Sequence, residues 1–446
     1  MLRWLVFRLV KLFYSRIVGR GREHVPVDRP AIFVANHPNG LLDPVLMMIG
    51  LRRPVWFLAK STFFANPVGK WMMETFGALP VFRKRDEGKP GGPQGDARAR
   101  NEQTFARSRA LLRDNEALAL FPEGTTHSDA QLRELRTGAA RIALSAEDEA
   151  GWHLGLQIVP VGLWYEDKTT FRTSVVLAVG EPFTLNDYAD AYADNEHAAV
   201  KALTQHIDDR LDTVVLQAEN ADLLAAMPVV AAWTLTDNGP RDLARQHAWA
   251  GTLLQAYQHL FHTDPERLEA IAVKARRYAA LLEAVGITDP WHLELPEASR
   301  WGLLRRVLAL IVMVPFALAG CLMSYGPYRL AGPVAEAAVR GDYTQTGTFK
   351  LIGGTLFVLI GWVVEAVVCG LVFGWMWGIL LLMGAPLLGY ISLRWGEAWH
   401  RLRNALSYQR LRGRRSRLVE LLAEQRQDLT DDVRAAVASV SLEEGA

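Results

Sequence analysis

Cysteine and net charge are both scarce in this sequence, and each shortage excludes a class of protein. Cys321 and Cys369 are the only 2 cysteines in 446 residues, too few for a disulfide framework or a multi-cysteine metal site. The 49 Lys and Arg residues nearly balance the 48 Asp and Glu residues, so no excess of positive charge favours a nucleic-acid partner. The chain also contains no G-x-S-x-G, H-E-x-x-H or G-K-[ST] motif, which removes three common enzyme classes.

Apolar residues are abundant instead, and they concentrate in the last third of the chain. Hydrophobic residues make up 50% of the sequence and charged residues 22%, which argues against intrinsic disorder. The run Val307–Tyr328 has no charge, and Glu365 is the single charge between Lys350 and Arg394. Runs of this length can cross a hydrocarbon core about 30 Å thick. We therefore predict transmembrane helices over residues 301–395, with a turn at Gly370–Gly378.

Arginines flank the apolar runs on both sides. Arg305 and Arg306 precede the first run, and a basic, helical tail is predicted over residues 396–446. Because segments rich in Lys and Arg stay on the cytoplasmic side, both flanks should be cytoplasmic, which requires an even number of crossings. The sequence shows three apparent segments, which is an odd number. We therefore predict that part of Leu351–Ser392 is re-entrant or belongs to a long hairpin. Glu365, inside an apolar run, is either a functional residue or a polar contact between helices.

The first 24 residues combine basic and apolar side chains at helical spacing. The apolar residues are Leu2, Leu5, Val6, Leu9, Phe13 and Ile17, and the basic residues are Arg3, Arg8, Lys11, Arg16 and Arg20. We predict an amphipathic helix over residues 1–24 that lies in the headgroup layer of a lipid bilayer. A helix packed on the following domain is the alternative, whereas a secretory signal would have a less charged core and a cleavage site.

Within a domain predicted over residues 25–230, the sequence from Pro30 to about Leu185 alternates short apolar runs with helical stretches, a pattern typical of an α/β layer structure. The predicted strands are Ala31–Ala35, Val55–Ala59, Ala78–Phe82, Ala117–Phe121, Gln157–Leu163 and Ser174–Val179. Helices are predicted at Leu41–Ile49, Asn66–Phe76, Glu102–Arg113 and Thr137–Ala150. The loop Lys84–Asn101, rich in Gly and Pro, either covers an active site or only connects two elements. Residues 231–300 look helical and carry no recognisable chemistry, which is typical of a spacer or a docking surface.

A histidine and an aspartate follow the first of these strands. Ala31–Ala35 runs into Asn36-His37-Pro38-Asn39-Gly40-Leu41-Leu42-Asp43. A turn at the end of a strand exposes an imidazole, and a carboxylate bound to one ring nitrogen leaves the other nitrogen to act as a base. This spacing alone is a weak signal, because a single histidine is more often structural than catalytic.

Three further segments carry residues suited to a phosphorylated or hydroxylated ligand. The strand Gly77–Arg83 ends on Arg83, whose planar guanidinium suits phosphate. In the run from Phe121 to Ser128, Glu123 can accept hydrogen bonds from hydroxyls, and Gly124 lets the backbone approach a ligand. Pro160 interrupts a further apolar strand, residues 158–162. Taken singly, each residue also has an ordinary explanation as a surface charge, a turn residue or a strand breaker.

In their order and spacing the four segments resemble the four motifs of the glycerolphosphate acyltransferase superfamily, which includes the lysophosphatidate acyltransferases. The resemblance covers about residues 25–185. It implies an α/β domain that lies on a membrane, followed here by α-helical and transmembrane helical regions. It also implies that His37 is the general base and Asp43 its orienting partner. The substrate site would then contain Asn36, Arg83, Glu123, Gly124, Thr125 and Pro160.

Two details differ from the usual pattern of that family. Five residues separate His37 from Asp43 where four are usual, and Thr126-His127 stand where the family's FPEGTRS turn has an arginine. Both details resemble the branch of fungal glycerol-3-phosphate and dihydroxyacetone-phosphate acyltransferases. Without that arginine the phosphate charge must be met elsewhere, and the candidates are Lys60, His127 and Arg136.

The resemblance implies an integral-membrane acyltransferase of phospholipid synthesis. His37 would take the proton of a hydroxyl on glycerol-3-phosphate, dihydroxyacetone phosphate or a lysophospholipid as that hydroxyl attacks an acyl thioester. Acyl-CoA or acyl carrier protein would be the co-substrate, and we expect neither a metal nor a cofactor. A phospholipid acyl donor is one alternative, and a catalytically disabled lipid-binding scaffold is another. The catalytic domain is expected on the cytoplasmic face of a cell inner membrane.

Overall fold

The computed structural model describes residues 1–92, 96–235, 242–287, 300–339, 343–414 and 416–443. The chain forms two compact units. The first contains Met1–Leu224 and, from a distant part of the sequence, Tyr343–Thr348; the second contains Ala225–Asp342 and Phe349–Ala446. Most of the segment predicted over residues 25–230 therefore falls in the first unit, and residues 1–24 belong to that unit as well.

A seven-stranded sheet forms the centre of the first unit. Its strands are β1 (Arg16–Arg20), β2 (Ala31–Ala35), β3 (Trp56–Lys60), β4 (Ala78–Val81), β5 (Ala117–Leu120), β6 (Gln157–Tyr165) and β7 (Ser174–Val179). Their order across the sheet is β1-β7-β6-β2-β5-β3-β4. The last five strands of that order run parallel, β7 is antiparallel to β6, and β1 is parallel to β7. The predicted α/β fold is confirmed, and all six predicted strands lie close to their observed bounds.

Helices cover the sheet because its central strands are apolar on both faces. Every residue of β2, β5 and β7 is buried, and such strands need cover on each side. The helices of this unit are α1 (Leu2–Phe13), α2 (Leu42–Leu51), α3 (Pro67–Thr75), α4 (Ala97–Arg113), α5 (Gly138–Glu149), α6 (Ala189–Asp194) and α7 (Glu196–Asp212). In the main core, Ile32 and Leu118 of the sheet pack with Ile142 of α5 and Leu203 of α7.

The N-terminal helix is shorter than predicted. α1 ends at Phe13, and Arg16–Arg20 instead forms β1, the edge strand paired with β7. The prediction of one helix over residues 1–24 is therefore wrong beyond Phe13. Ile17 and Val18 are β-branched, and such side chains pack well on a pleated sheet but lose rotamer freedom in a helix. Strand pairing with β7 thus outweighs the helical spacing of Ile17.

Helices α1 and α3 each expose apolar side chains. In α1, Val10 and Phe13 are buried whereas Trp4 and Leu5 are 61% and 48% exposed. In α3, Val68 and Trp71 are 71% and 57% exposed. The guanidinium of Arg3 donates a hydrogen bond to the carbonyl of Thr75, so the two helices adjoin. We call the exposed side chains of Trp4, Leu5, Val68 and Trp71 the apolar rim.

The second unit is helical throughout its described residues. Its helices are α8 (Ala221–Thr234, which begins in the first unit), α9 (Leu243–Thr263), α10 (Pro265–Val285), α11 (Arg300–Val339), α12 (Thr346–Phe373), α13 (Trp375–Arg414) and α14 (Ser416–Glu443). Within this unit α14 packs on α9 and α10 and buries Leu422 and Leu429. Part of the predicted tail 396–446 is therefore a packed helix. The end of the predicted region 231–300 includes residues 288–299, which lie outside the described residues.

Within the described residues, three helical segments are long and apolar enough to cross a membrane: Trp301–Ala337, Thr346–Phe373 and Trp375–Leu406. Gly374, with φ +100°, separates the last two, inside the turn predicted at Gly370–Gly378. Leu351–Ser392 thus contains parts of two long helices, α12 and α13, joined at Gly374, and the number of membrane crossings stays a prediction. Glu365 lies in α12, and its Oε2 atom is buried with no hydrogen-bond partner among the described residues.

Candidate active site

The topology of the sheet collects the predicted site residues along one edge. Parallel strands end at the same edge, and ligands of open α/β sheets bind beyond their carboxyl ends. His37 follows β2, Glu123 follows β5, Lys60 ends β3 and Arg83 follows β4. We call residues 36–43 the histidine turn and residues 121–128 the glutamate turn. Because β2 and β5 are neighbours in the sheet, these two turns lie side by side.

In the histidine turn, the backbone folds around the carboxylate of Asp43. Nδ1 of His37 lies 2.8 Å from Oδ2 of Asp43, and the backbone N–H of Asn39 donates to the same oxygen at 2.7 Å. Gly40, at φ +42°, supplies the left-handed conformation that closes the turn. Asp43 is fully buried, whereas the His37 side chain keeps 17% exposure. The Nδ1 side of the imidazole is therefore held by a buried carboxylate, while part of the His37 side chain remains accessible to solvent.

Tyr165, which the sequence analysis did not identify, binds the other oxygen of the same carboxylate. Its hydroxyl at the end of β6 donates to Oδ1 of Asp43. Burial and the neighbouring Asp43 charge raise the pKa of the Tyr165 phenol well above its usual range, so the hydroxyl keeps its proton and remains a donor. Its position could have indicated this role, because Tyr165 ends β6, the strand that pairs with β2. Asp43 thus accepts three hydrogen bonds, which compensate the burial of its charge.

Asn36 extends the pairing of β2 and β6. Its side-chain amide donates to the carbonyl of Leu163 at 3.1 Å, and its Oδ1 accepts from the N–H of Leu163 at 2.7 Å. Pro160 lies deeper in the same strand, where it is buried opposite Val34 of β2. Asn36 therefore fixes the base of the histidine turn, and Pro160 belongs to the interior of the sheet.

The glutamate turn is locked to the histidine turn through Glu123. Oε1 of Glu123 accepts the backbone N–H of His37 at 3.1 Å, and Oε2 accepts the N–H of Arg133 at 3.1 Å and a bond from the ring of His127. The N–H of His127 in turn donates to the carbonyl of His37 at 3.3 Å. The ring of Phe121 stacks on the imidazole of His37, with centroids 4.1 Å apart. Glu123 and His127, both buried, therefore hold the two turns together.

Lys168 also joins the two turns, and no motif pointed to it. Its ammonium group donates to the carbonyl of Pro38 at 3.4 Å and to the hydroxyl of Ser128. It stands in the connection between β6 and β7, where sequence spacing gives no signal. The ammonium group of Lys168 therefore places a positive charge beside both turns.

Comparison with known proteins identifies a domain within the first unit. Residues 16–164 match the family model described as Acyltransferase. The chain is 21% identical over 449 residues to glycerol-3-phosphate O-acyltransferase 1 of Saccharomyces cerevisiae, covering 80% of this chain and 58% of that protein. It is 27% identical over 174 residues to a chloroplastic 1-acyl-sn-glycerol-3-phosphate acyltransferase of Arabidopsis thaliana, covering 39% of this chain and 41% of that one. Residues 16–164 are an acyltransferase domain of the glycerolphosphate acyltransferase superfamily.

The chain spans only part of the curated relatives that it matches. It covers 62% of an uncharacterized acyltransferase of Schizosaccharomyces pombe, at 23% identity over 428 residues and 76% of this chain. A solved 1-acyl-sn-glycerophosphate acyltransferase from Thermotoga maritima aligns with 46% of this chain and 80% of that chain, at 19% identity and a TM-score of 0.32.

The arginines of the acyltransferase domain lie at different distances from His37. Arg136 is exposed beside Gly124: a Cβ added at Gly124 would lie 3.3 Å from Cγ of Arg136. Thr125, half-buried, follows in the same turn. Arg83 lies beyond β4, three strands from β2 and hence about 14 Å away at the usual strand spacing. Its guanidinium pairs with the buried carboxylate of Asp86 at 2.6 Å.

Lys60 stands between these two arginines. It ends β3, and its ammonium group lies 5.9 Å from the ring centre of Phe63. The structure therefore brings His37, Asp43, Glu123 and His127 into contact. The candidate cations Arg136, Lys60 and Arg83 are spread along the carboxyl ends of the parallel strands.

Proposed function

We propose that the chain transfers a fatty acyl group from an acyl thioester to a hydroxyl of glycerol-3-phosphate, dihydroxyacetone phosphate or a lysophospholipid. The observation that carries this proposal is the 2.8 Å contact between Nδ1 of His37 and Oδ2 of Asp43 at the edge of the sheet. A histidine held through Nδ1 presents Nε2 as its basic nitrogen. Membership of the domain in the acyltransferase family supports acyl transfer in phospholipid synthesis.

In the proposed mechanism, Nε2 of His37 takes the hydroxyl proton as the acceptor oxygen attacks the carbonyl carbon of the thioester. The tetrahedral intermediate carries a negative oxygen; it collapses when the C–S bond breaks, and the thiolate leaves and receives the proton from His37. Asp43 keeps the imidazole in one orientation and stabilises its protonated form. General-base assistance of this kind contributes about 10²- to 10⁴-fold to the rate.

Cations along the edge are suited to the phosphate of the acceptor. Arg136 is exposed beside Gly124 and is the candidate next to the glutamate turn. Lys168 borders the histidine turn through the carbonyl of Pro38. Lys60 and Arg83 lie farther along, so we assign them to the more distant parts of the donor or acceptor. His127 is fully occupied with Glu123 and is assigned a structural role in the turn.

We propose that the acyltransferase domain works at a lipid surface, on the cytoplasmic face of the membrane. The three apolar helical segments support association with a membrane. The apolar rim adds tryptophan side chains, which suit the interface between a lipid bilayer and water. The guanidinium of Arg8 lies over the ring of Trp4, and Lys70 precedes Trp71 in the sequence. A bacterial inner membrane and an endoplasmic-reticulum-type membrane both meet these requirements.

The decisive experiment is acyl transfer in membranes that contain the full chain or its His37→Ala variant. We expect transfer of a labelled acyl group from acyl-CoA or acyl carrier protein to fall by about 10²- to 10⁴-fold in the variant. His197→Ala, at an exposed position of α7, is the matched control and should keep wild-type activity. Comparing glycerol-3-phosphate, dihydroxyacetone phosphate and lysophosphatidate as acceptors would identify the substrate.

Three results would contradict the proposal or a part of it. Unchanged activity of His37→Ala at equal protein level would remove His37 from the mechanism. Lipid binding without any acceptor-dependent release of thiol would instead support a scaffold on a disabled acyltransferase domain. Transfer without an added thioester would indicate that a phospholipid is the acyl donor.

A further inference from the structure

A short polar segment from a distant part of the sequence belongs to the first unit, which contains the acyltransferase domain. Tyr343–Thr348 cluster with the α/β unit, although the rest of that unit ends at Leu224. Thr346 and Thr348 are only 3% and 7% exposed, and Gly347 is buried with them. Burying polar side chains is unfavourable unless contacts compensate it, so the position of this segment in the domain calls for a functional or structural reason.

The segment packs on the middle of the histidine turn. A Cβ added at Gly347 would lie 2.5 Å from the carbonyl oxygen of Lys168 and 2.9 Å from Oδ1 of Asn39. A Cβ added at Gly40 would lie 3.5 Å from both the carbonyl oxygen of Thr344 and Oγ1 of Thr348. The approach at Gly347 is therefore possible only because glycine has no side chain.

Asn39, the residue under Gly347, is bonded directly to the catalytic pair. Its backbone N–H donates to Oδ2 of Asp43 at 2.7 Å, the same oxygen that lies 2.8 Å from His37. Its side-chain amide donates to the hydroxyl of Tyr14 at 3.0 Å and to the carbonyl of Lys168 at 3.3 Å. A displacement of Asn39 would therefore move a donor away from Asp43 and change the orientation of the imidazole.

The contacted residues are also those that make the histidine turn long. Asn39 and Gly40 lie among the five residues between His37 and Asp43, one more than the related motif usually has. A longer turn has more conformational freedom to lose on folding, and glycine increases that freedom. A segment packed on both residues restricts the turn to the conformation that binds Asp43.

We propose that residues 344–348 position the histidine turn for acyl transfer. Gly347 lets the segment approach Asn39, and Asn39 holds the Asp43 carboxylate that orients His37. The inference rests on the proposed function, because it assigns these residues a part in the same reaction. None of the five residues is proposed to touch the substrate.

The test compares Gly347→Ala with Gly353→Ala in the full chain, both in α12. At Gly353 the added Cβ would meet no heavy atom within 4 Å, so this control makes the same substitution in the same helix without a clash. For Gly347→Ala we expect kcat to fall by about tenfold or more, since small misplacements of reacting groups are costly. KM for both substrates should stay near the wild-type value, and the pH profile of kcat/KM should change shape. Gly353→Ala should match the wild type in all of these.

Thr348→Ala provides a milder second variant if Gly347→Ala does not accumulate. It shortens a buried side chain beside Gly40 and introduces no clash, so a smaller loss of kcat with unchanged KM is expected. Oδ1 of Asn39 and Oγ1 of Thr348 are both buried without a hydrogen-bond partner among the described residues, so a bound acceptor is the competing explanation for this polar surface. A rise in the KM for the acceptor with unchanged kcat in either variant would overturn positioning in favour of an acceptor subsite.

Two further outcomes separate this inference from the proposed function. If the wild-type chain is active and Gly347→Ala has the wild-type kcat and pH profile, the positioning role is wrong and the proposed function stands. If the wild-type chain transfers no acyl group, the proposed function itself fails. A loss of thermal stability in Gly347→Ala without any change in kcat per folded molecule would also contradict the positioning role.

Discussion

Tyr165 and His37 bind opposite oxygens of one carboxylate, that of Asp43: the tyrosine hydroxyl donates to Oδ1, and Nδ1 of the histidine lies 2.8 Å from Oδ2. The carboxylate is fully buried, so these contacts and the N–H of Asn39 replace the water that it loses on folding. Asp43 is thereby fixed in position, and its remaining negative charge faces the imidazole. The orientation of His37 depends on a residue 122 positions away from Asp43.

Removing that hydroxyl tests the relationship directly. In Tyr165→Phe, Asp43 loses a donor to a charged acceptor, an interaction of about 1.5–3 kcal/mol, and kcat should fall by about tenfold. Steady-state acyl-transfer kinetics in membranes check this loss. Tyr192→Phe, remote from the site on α6, should leave kcat unchanged.

Glu123 is expected to act through the geometry of the two turns. Both of its oxygens accept hydrogen bonds, from the N–H groups of His37 and Arg133 and from His127. A glutamine at this position would turn one acceptor into a donor that faces another donor, so the turns should separate. We expect Glu123→Gln to lower kcat by about ten- to hundredfold in acyl-transfer assays.

Glu147 offers a matched control for that substitution. It is another buried glutamate of the same domain, and it accepts the N–H groups of Leu154 and Leu156 at 3.1 and 2.6 Å, away from the histidine turn. Glu147→Gln should lower the melting temperature as Glu123→Gln does but keep kcat per folded molecule. Equal losses of kcat in the two variants would mean that Glu123 contributes only to stability.

Arg136 is expected to bind the phosphate of the acceptor. Arg136→Ala should raise the KM for a phosphorylated acceptor by about tenfold, because charge-assisted hydrogen bonds contribute about 1.5–3 kcal/mol when shielded and less when exposed. The KM for the thioester should change little. Arg113→Ala, on the exposed side of α4, is the control. An unchanged acceptor KM in steady-state assays would move the phosphate site to Lys168 or Lys60.

Asp86 should make the stability of the domain depend on acid. Burial alone would raise the pKa of its carboxyl, but hydrogen bonds from Arg83 and Lys89 outweigh burial and lower that pKa below its usual range. Because the folded pKa lies below the unfolded value of about 3.9, the stabilisation is present above about pH 4 and is lost as the pH falls through the folded pKa.

Thermal unfolding of the wild type and of Asp86→Asn, measured at a series of pH values between pH 3 and pH 7, checks that dependence. The variant should lose about 1–2 kcal/mol of unfolding free energy near pH 7. The difference from the wild type should narrow below about pH 4. Asp114→Asn, an exposed carboxylate next to α4, should stay within about 0.5 kcal/mol of the wild type throughout. A difference that stays constant across the series would show that Asp86 contributes no charge-dependent stability.

The sequence located the parts of the domain that local patterns encode. β2, β5 and β7 are apolar runs, and α5 has helical periodicity, so each could be predicted within a residue or two. β1 could not, because Arg16–Arg20 is short and charged, and it becomes a strand only by pairing with β7. Its Ile17 also continues the helical spacing of α1, so local patterning favoured the wrong element.

By itself, the sequence determined the α/β class, the apolar segments and the identity of His37, Asp43 and Glu123 as candidate site residues. These follow from side-chain chemistry, periodicity and the order of short motifs, which are properties of neighbouring positions. Only the tertiary structure decided that Tyr165 completes the binding of Asp43, that Glu123 joins two turns, and that Gly347 packs on Asn39. Those contacts join residues from 86 to more than three hundred positions apart, and no local pattern encodes them because burial and hydrogen-bond geometry exist only after the chain has folded.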